Sequence, residues 1–176
     1  MPYSKAAVDL AGRPKLTALT AEGKPAADPG PWRYEAGGLV AESAGVTRAR
    51  LAVPPDYHLR MVAKLTGPAA TLALTFRQKA EPGNSYRLEV RPSKGEATLA
   101  GFKLDSPRAV AFAPGEDVRV EAFVQGSVIE CFVNDRAAFS CRAYSNPDGA
   151  LDLLVTGGKA EVRELVVRTA PPRPAK

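Results

Sequence analysis

The chain reads as an all-β protein, an antiparallel β-sandwich of the jelly-roll kind. Three observations carry that reading. Apolar and polar residues alternate with period 2 in about a dozen short runs, the pattern of half-buried strands. Gly, Pro, Asn or Asp separates each run from the next. No stretch keeps a 3.6-residue period over helical length, and regular short strands without helices point to a sandwich or jelly roll. With 176 residues and 45% hydrophobic content, the chain can bury one good core, and a second domain of ordinary size does not fit.

In chain order, residues 1–30 are rich in Ala, Pro, Gly and Lys without a sustained period, which is linker or edge-strand composition. Within them Val8-Asp9-Leu10 suits either a short helix or an extra strand. The sandwich domain is expected over 31–169. Its first strand is 32–35, followed by a Gly37-Gly38 turn, strands at 39–41 and 48–53, and a Pro54-Pro55-Asp56 break. Further strands are expected at 57–65, 71–78, 85–91, 96–104, 109–112, 118–124, 128–133, 137–144, 151–155 and 160–169. Gly157-Gly158-Lys159 superficially resembles a phosphate loop, but between two strands it reads as a hairpin turn. Residues 170–176 carry three prolines and cannot continue a ladder, so they form an exit tail or linker.

Composition excludes several classes of function. The net charge is +5, yet the basic residues are spread singly among acidic neighbours, whereas a nucleic-acid surface clusters them with stacking aromatics. No nucleic-acid partner is expected, and the charge serves solubility. No apolar run approaches the roughly 20 residues of a membrane-spanning helix, so no membrane partner is expected either. The first residues lack the apolar core of a secretory signal. The expected location is cytoplasmic if the chain is complete, and extracellular or periplasmic if a leader was removed.

The single histidine, His58, begins a strand with no Gly-x-Ser-x-Gly elbow in the chain, so it reads as a surface or strand-end residue, not a catalytic one. No metal or cofactor is expected, because two cysteines and one histidine are too few for a zinc site and no dinucleotide or Walker fingerprint is present. Cys131 and Cys141 fall on neighbouring strands of one hairpin and share a face; a cross-strand disulfide and two small buried thiols both fit that spacing. Trp32, the only tryptophan, reads as a core plug near the first strand.

The most informative stretch is Ser127-Val128-Ile129-Glu130-Cys131-Phe132-Val133-Asn134-Asp135. Ile129, Cys131 and Val133 form an unbroken apolar face, while the opposite face sets Glu130 between Val128 and Phe132. Asn134-Asp135 ends the strand as residues that tolerate left-handed backbone. From 118 to 168 the succession of a hydrophobic strand, a serine-containing turn, Ile-Glu-x-Phe-Val-Asn-Asp, an Arg-x-Tyr strand, a Gly-Gly turn and a last Val-rich strand resembles a known pattern. It is similar to the C-terminal β-sandwich of glycoside hydrolase family 32 and to carbohydrate-binding module family 66, both concanavalin A-like. Two positions depart from that pattern: Gln125 stands where the family has Asp, and Arg136 where it has Gly.

The resemblance implies a non-catalytic module, because the family's catalytic acids belong to an N-terminal propeller whose motifs this chain lacks; Glu130-Cys131 matches one dipeptide only by coincidence. The implied partner is a glycan, of fructan or related type. A sugar site needs planar groups for vicinal hydroxyls and an aromatic face. Glu130, Arg142 and Tyr144 on the hairpin fit, and Arg87 with Glu89, after Tyr86, forms a second cluster. The alternatives are an accessory sandwich that packs on a glycoside hydrolase catalytic domain, and a stand-alone glycan-active enzyme. For Glu130 and Arg142 a plain cross-strand ion pair is the alternative role.

Overall fold

A computed structural model describes residues 6–19, 32–36, 38–79, 85–144 and 146–169. The expected tail, most of the expected linker and Gly37 of the Gly37-Gly38 turn lie outside the described residues. The strands are β1 (Ala6–Asp9), β2 (Thr17–Leu19), β3 (Arg33–Glu35), β4 (Gly38–Leu51), β5 (Tyr57–Thr66), β6 (Thr71–Gln78) and β7 (Tyr86–Arg91). They continue as β8 (Glu96–Gly101), β9 (Leu104–Ala109), β10 (Val118–Gln125), β11 (Val128–Val133), β12 (Ala137–Arg142) and β13 (Ala150–Thr169). All pairings are antiparallel.

Two long strands, β4 and β13, fold the hydrogen-bonded network into two layers. The second half of β13 pairs with β5, and outward from there run β10, β11 and β12. The first half of β13 pairs with β6, followed by β7, β8 and β9. Strand β4 runs beside β13 through both layers, with β3 against its first half and β2 against its second. The crossing is made at Gly157-Gly158, where the β4–β13 register slips between Thr156 and Gly158. A Cβ on Gly158 would stand 2.6 Å from the Thr66 carbonyl oxygen and 2.7 Å from Ala70 Cβ. The expected hairpin turn is therefore a bend within one strand: glycine lets the chain pass close under its neighbours without ending the ladder.

The alternation expected from sequence holds through the interior. Leu59, Met61, Leu72, Leu74, Phe76, Leu88, Leu99 and Ile129 are fully buried between the layers. Each such side chain contributes roughly 1.5–3 kcal/mol. Trp32 is part of this core. The N-terminal segment supplies edge strands β1 and β2, and Val8-Asp9-Leu10 holds both expected alternatives: β1 ends at Asp9, whose side chain accepts from Ala11 N and starts a 3-10 turn at Leu10.

One expected strand, 96–104, instead reverses at Phe102-Lys103, and the strand placed at 109–112 lies earlier, as β9. Gly101 at φ 153° and Phe102 at φ 52° make the turn without the Asn-Gly or Asp-Gly that marks hairpins in sequence. The β11–β12 turn is as expected, with Asn134 and Asp135 at φ 50° and 55°. Asn134 is buried; its side-chain oxygen accepts from Arg119 N (2.8 Å), and its Nδ2 donates to Asp117 O (2.9 Å) and Glu116 Oε1 (3.0 Å). Arg136 donates to Glu116 Oε2 (2.9 Å) and Ala111 O (2.5 Å).

Candidate functional site

The second layer is made by β6, β7, β8 and β9 with the first half of β13 and the second half of β4, and the first layer by β5, β10, β11 and β12 with the other halves. The outer face of the second layer gathers charge from four strands. Alternation forces this: Ala49 and Leu51, Leu151 and Leu153, Leu72 and Leu74, and Leu88 and Val90 turn into the core. Arg48 and Arg50, Asp152 and Leu154, Ala73 and Thr75, and Arg87 and Glu89 are thereby turned outward. The register sets Arg50, Asp152, Thr75 and Arg87 side by side, with Arg48, Leu154, Ala73 and Glu89 in the next row.

The result is a two-walled strip, referred to below as the trough. Its middle rows, the floor, are Asp152, Ala73, Thr75 and Leu154, which are 0%, 1%, 2% and 5% exposed although they point away from the core, and so are covered. Its walls are Arg48 and Arg50 on one side and Arg87, Glu89 and Arg91 on the other. Three strand spacings separate the walls, a width of about 14 Å.

Both walls are braced. Arg50 donates through Nε to Asp152 Oδ1 (2.7 Å) and through Nη2 to Oδ2 (3.0 Å), and Arg48 Nε lies 3.2 Å from Oδ2. The bond to Asp152 raises the Arg50 pKa. Opposite, Arg87 pairs with Glu89 (2.7 Å), Glu89 accepts from Arg91 Nε (2.7 Å), and Arg91 reaches Glu96 (2.8 Å), which also accepts from Thr98 Oγ1 (3.0 Å). The hydrogen bond to Glu89 raises the Arg91 pKa. Arg87 Nε is buried and lacks a hydrogen-bond acceptor, whereas Arg48 Nε, also buried, is held by its ion pair with Asp152. Oriented donors on two walls, with carboxylates between, are suited to a neutral ligand rich in hydroxyls.

The five residues singled out in the sequence are divided between the layers. Arg87 and Glu89 stand in the trough. Glu130 is on the outer face of the first layer, exposed, opposite Phe123 on one side and Ser140 on the other. Arg142 lies opposite Val128, one step along from Glu130, and donates to Ser127 Oγ (3.3 Å); no ion pair joins it to Glu130. Tyr144 lies just past β12 and is 76% exposed. Near Glu130, His58 is buried by stacking on Phe123 (4.4 Å between centroids, 11° between planes), with Nε2 2.6 Å from Glu121 Oε1. Cys131 and Cys141 are free thiols facing the interior; burial pushes the Cys141 pKa to about 11.

Sequence reasoning missed Arg48, Arg50, Asp152, Arg91 and Glu96. One signal was available. Asp152 interrupts the apolar run Leu151-Asp152-Leu153-Leu154-Val155 just as Glu130 interrupts its own strand.

Known proteins agree with this architecture. The family described as glycosyl hydrolases family 32 C terminal matches residues 57–169. The comparison with curated proteins found no match. Among solved structures, the carbohydrate-binding module CBM66 from Bacillus subtilis superposes with a TM-score of 0.69 at 14% identity, covering 89% of this chain and 96% of that one. A Bacillus subtilis protein described as having a galectin-like fold gives a TM-score of 0.68 at 10% identity, over 98% and 99% of the two chains. A fructosyltransferase from A. japonicus gives 0.57 at 12% identity; 93% of this chain corresponds to 27% of that one. The fold is thus the concanavalin A-like, galectin-like sandwich, and the chain belongs to the family of glycosyl hydrolase family 32 C-terminal domains.

Proposed function

We propose that this domain is a non-catalytic carbohydrate-binding module for a fructan or related glycan, and that the sugar lies in the trough between Arg48 and Arg50 on one side and Arg87 and Glu89 on the other. The observation that carries the reading is the row of guanidinium and carboxylate groups that four strands bring to one outer face, with Arg87 Nε buried and without a hydrogen-bond acceptor. Buried donors are ordinarily satisfied, and a ligand hydroxyl on Arg87 would complete its set. Membership of a family attached to sugar hydrolases supports the same class of ligand. So does the likeness in fold to a module whose name records carbohydrate binding.

An accessory sandwich docked on a catalytic domain would present a contiguous apolar face. Among the described residues the exposed large hydrophobics are Val46, Phe102 and Tyr144, which lie on separate elements. That scatter favours binding over apolar packing. The hairpin offers a second sugar surface, on which the unpaired Glu130 carboxylate lies beside Phe123.

Calorimetric titration with levan oligosaccharides, inulin-type fructan and a control glucan tests the proposal. Arg87→Ala and Glu89→Gln should abolish the heat of fructan binding while the fold is retained, and Glu130→Ala should not. Heat lost only in Glu130→Ala moves the site to the hairpin; no heat with any glycan removes the binding reading.

A further inference from the structure

A second cavity lies at the seam where the edge of the first layer meets the β8–β9 turn of the second. It is an open pocket of about 320 Å³, lined by residues that include Tyr86, Phe102, Lys103, Ser140 and Arg142. That volume is at the lower end of small-molecule sites. Tyr86 OH donates to Arg142 O (3.3 Å) across the seam, so the two layers hold the site jointly.

Phe102 breaks two rules of folding at one position. It is the first central residue of a two-residue hairpin, at φ 52°, where glycine is preferred. It is also 44% exposed, held at a tilt against Tyr86 with 5.1 Å between ring centroids. Backbone in a sparsely populated region carrying a half-exposed ring is a local inconsistency of the kind that points to function.

The charges around that ring are of one sign. Lys103 and Arg142 both line the cavity, both are exposed, and no ion pair among the described residues includes either. The polar contact of the Arg142 guanidinium is the long hydrogen bond to Ser127 Oγ (3.3 Å). Ser140 adds a hydroxyl at the rim. An apolar platform beside two uncompensated cations matches a ring with one apolar face and one anionic substituent.

We infer that this cavity is a separate binding site for an acidic sugar, one bearing a carboxylate or a sulfate ester, with the ring on Phe102 and the anion between Lys103 and Arg142. The site is distinct from the trough and takes a different ligand, so its failure leaves the neutral-glycan reading standing.

The test follows the amide chemical shifts of the full chain during titration with methyl glucuronide and with its neutral counterpart, methyl glucoside. Glucuronide should shift residues 101–104 and 140–142 and bind at least ten-fold more tightly than glucoside, with an affinity that falls as salt is raised. Lys103→Gln and Arg142→Gln should each remove that preference. Phe102→Gly should abolish glucuronide binding while thermal stability holds or rises, because glycine suits the backbone there, and fructan titration of the same variant should be unchanged. Equal response to the two sugars, no response to either, or glucuronide binding that survives in Phe102→Gly overturns the proposal. A drop in stability in Phe102→Gly without any glucuronide binding by the parent protein assigns Phe102 to packing and does the same.

Discussion

Replacing Asp152 by asparagine removes one charge from the floor of the trough and strands two others. The Asp152 side chain is 0% exposed, and those of Arg48 and Arg50 are 11% and 20% exposed. Breaking a buried pair by deleting one partner leaves an uncompensated, desolvated charge and costs about 3–5 kcal/mol. Partial exposure of the arginines lets water recover some of that, which places Asp152→Asn near the lower end, at about 3 kcal/mol. For a domain of this size each kcal/mol lowers Tm by about 2–4 °C, so the variant should melt about 6–12 °C below the parent. Urea denaturation and a thermal melt read both quantities. The variant R48M/R50M/D152L should regain most of the loss, since apolar replacement of a whole buried ion cluster is often neutral or stabilising, but it should not bind glycan. A loss under about 1 kcal/mol for Asp152→Asn would mean that the cluster is screened like a surface pair, and the trough as described would be refuted.

Three further outcomes follow from the geometry. Arg77, 1% exposed and at φ 54°, donates to the carbonyls of Gly126, Ala143 and Asn146; at about 1–3 kcal/mol per stranded buried acceptor, Arg77→Met should cost at least about 3 kcal/mol and speed proteolysis between residues 143 and 149. Gly158→Ala should lower stability by about 1–3 kcal/mol in chemical denaturation, because the added methyl meets Thr66 O and Ala70 at the crossing between layers. The Glu116 carboxyl is held at about 2, against an ordinary 4.5, chiefly by its hydrogen bond from Arg136, with Ala113 N and Asn134 adding to it. A lowered folded-state pKa stabilises above the unfolded value and is lost as pH falls through the folded one, so the parent should lose this contribution between about pH 4.5 and 2, and Glu116→Gln should flatten that part of the stability–pH curve.

The strands of the hairpins were legible because each shows its own alternation within a few residues. Strands β6, β7, β10 and β11 carry an unbroken apolar residue at every second position and turns of recognised composition, and they fall within a residue of where the pattern puts them. Strands β4 and β13 were not, because their glycines look like ends. Only the requirement that a strand pass from one layer to the other explains why Gly157-Gly158 bends the ladder and does not close it.

The site was legible in part, for a related reason. Arg87 and Glu89 are visible as an outward-facing pair within one strand. Arg50 and Asp152 stand 102 residues apart and meet only through the β4–β13 register, which local periodicity does not encode. Glu130 drew attention as a carboxylate inside an apolar strand, yet it is exposed, while Asp152, with the same signature, is fully buried. The difference is set by what lies across the neighbouring strands: Phe123 and Ser140 for the former, Arg50 and Thr75 for the latter.

The most direct test is a crystal structure of the domain soaked with a levan oligosaccharide. Sugar density over the rows of Ala73 and Thr75, with hydroxyls within hydrogen-bond distance of the Arg48 and Arg87 guanidinium groups, is the result predicted. Sugar seated on the hairpin at Glu130 and Phe123, with the trough empty, would contradict it.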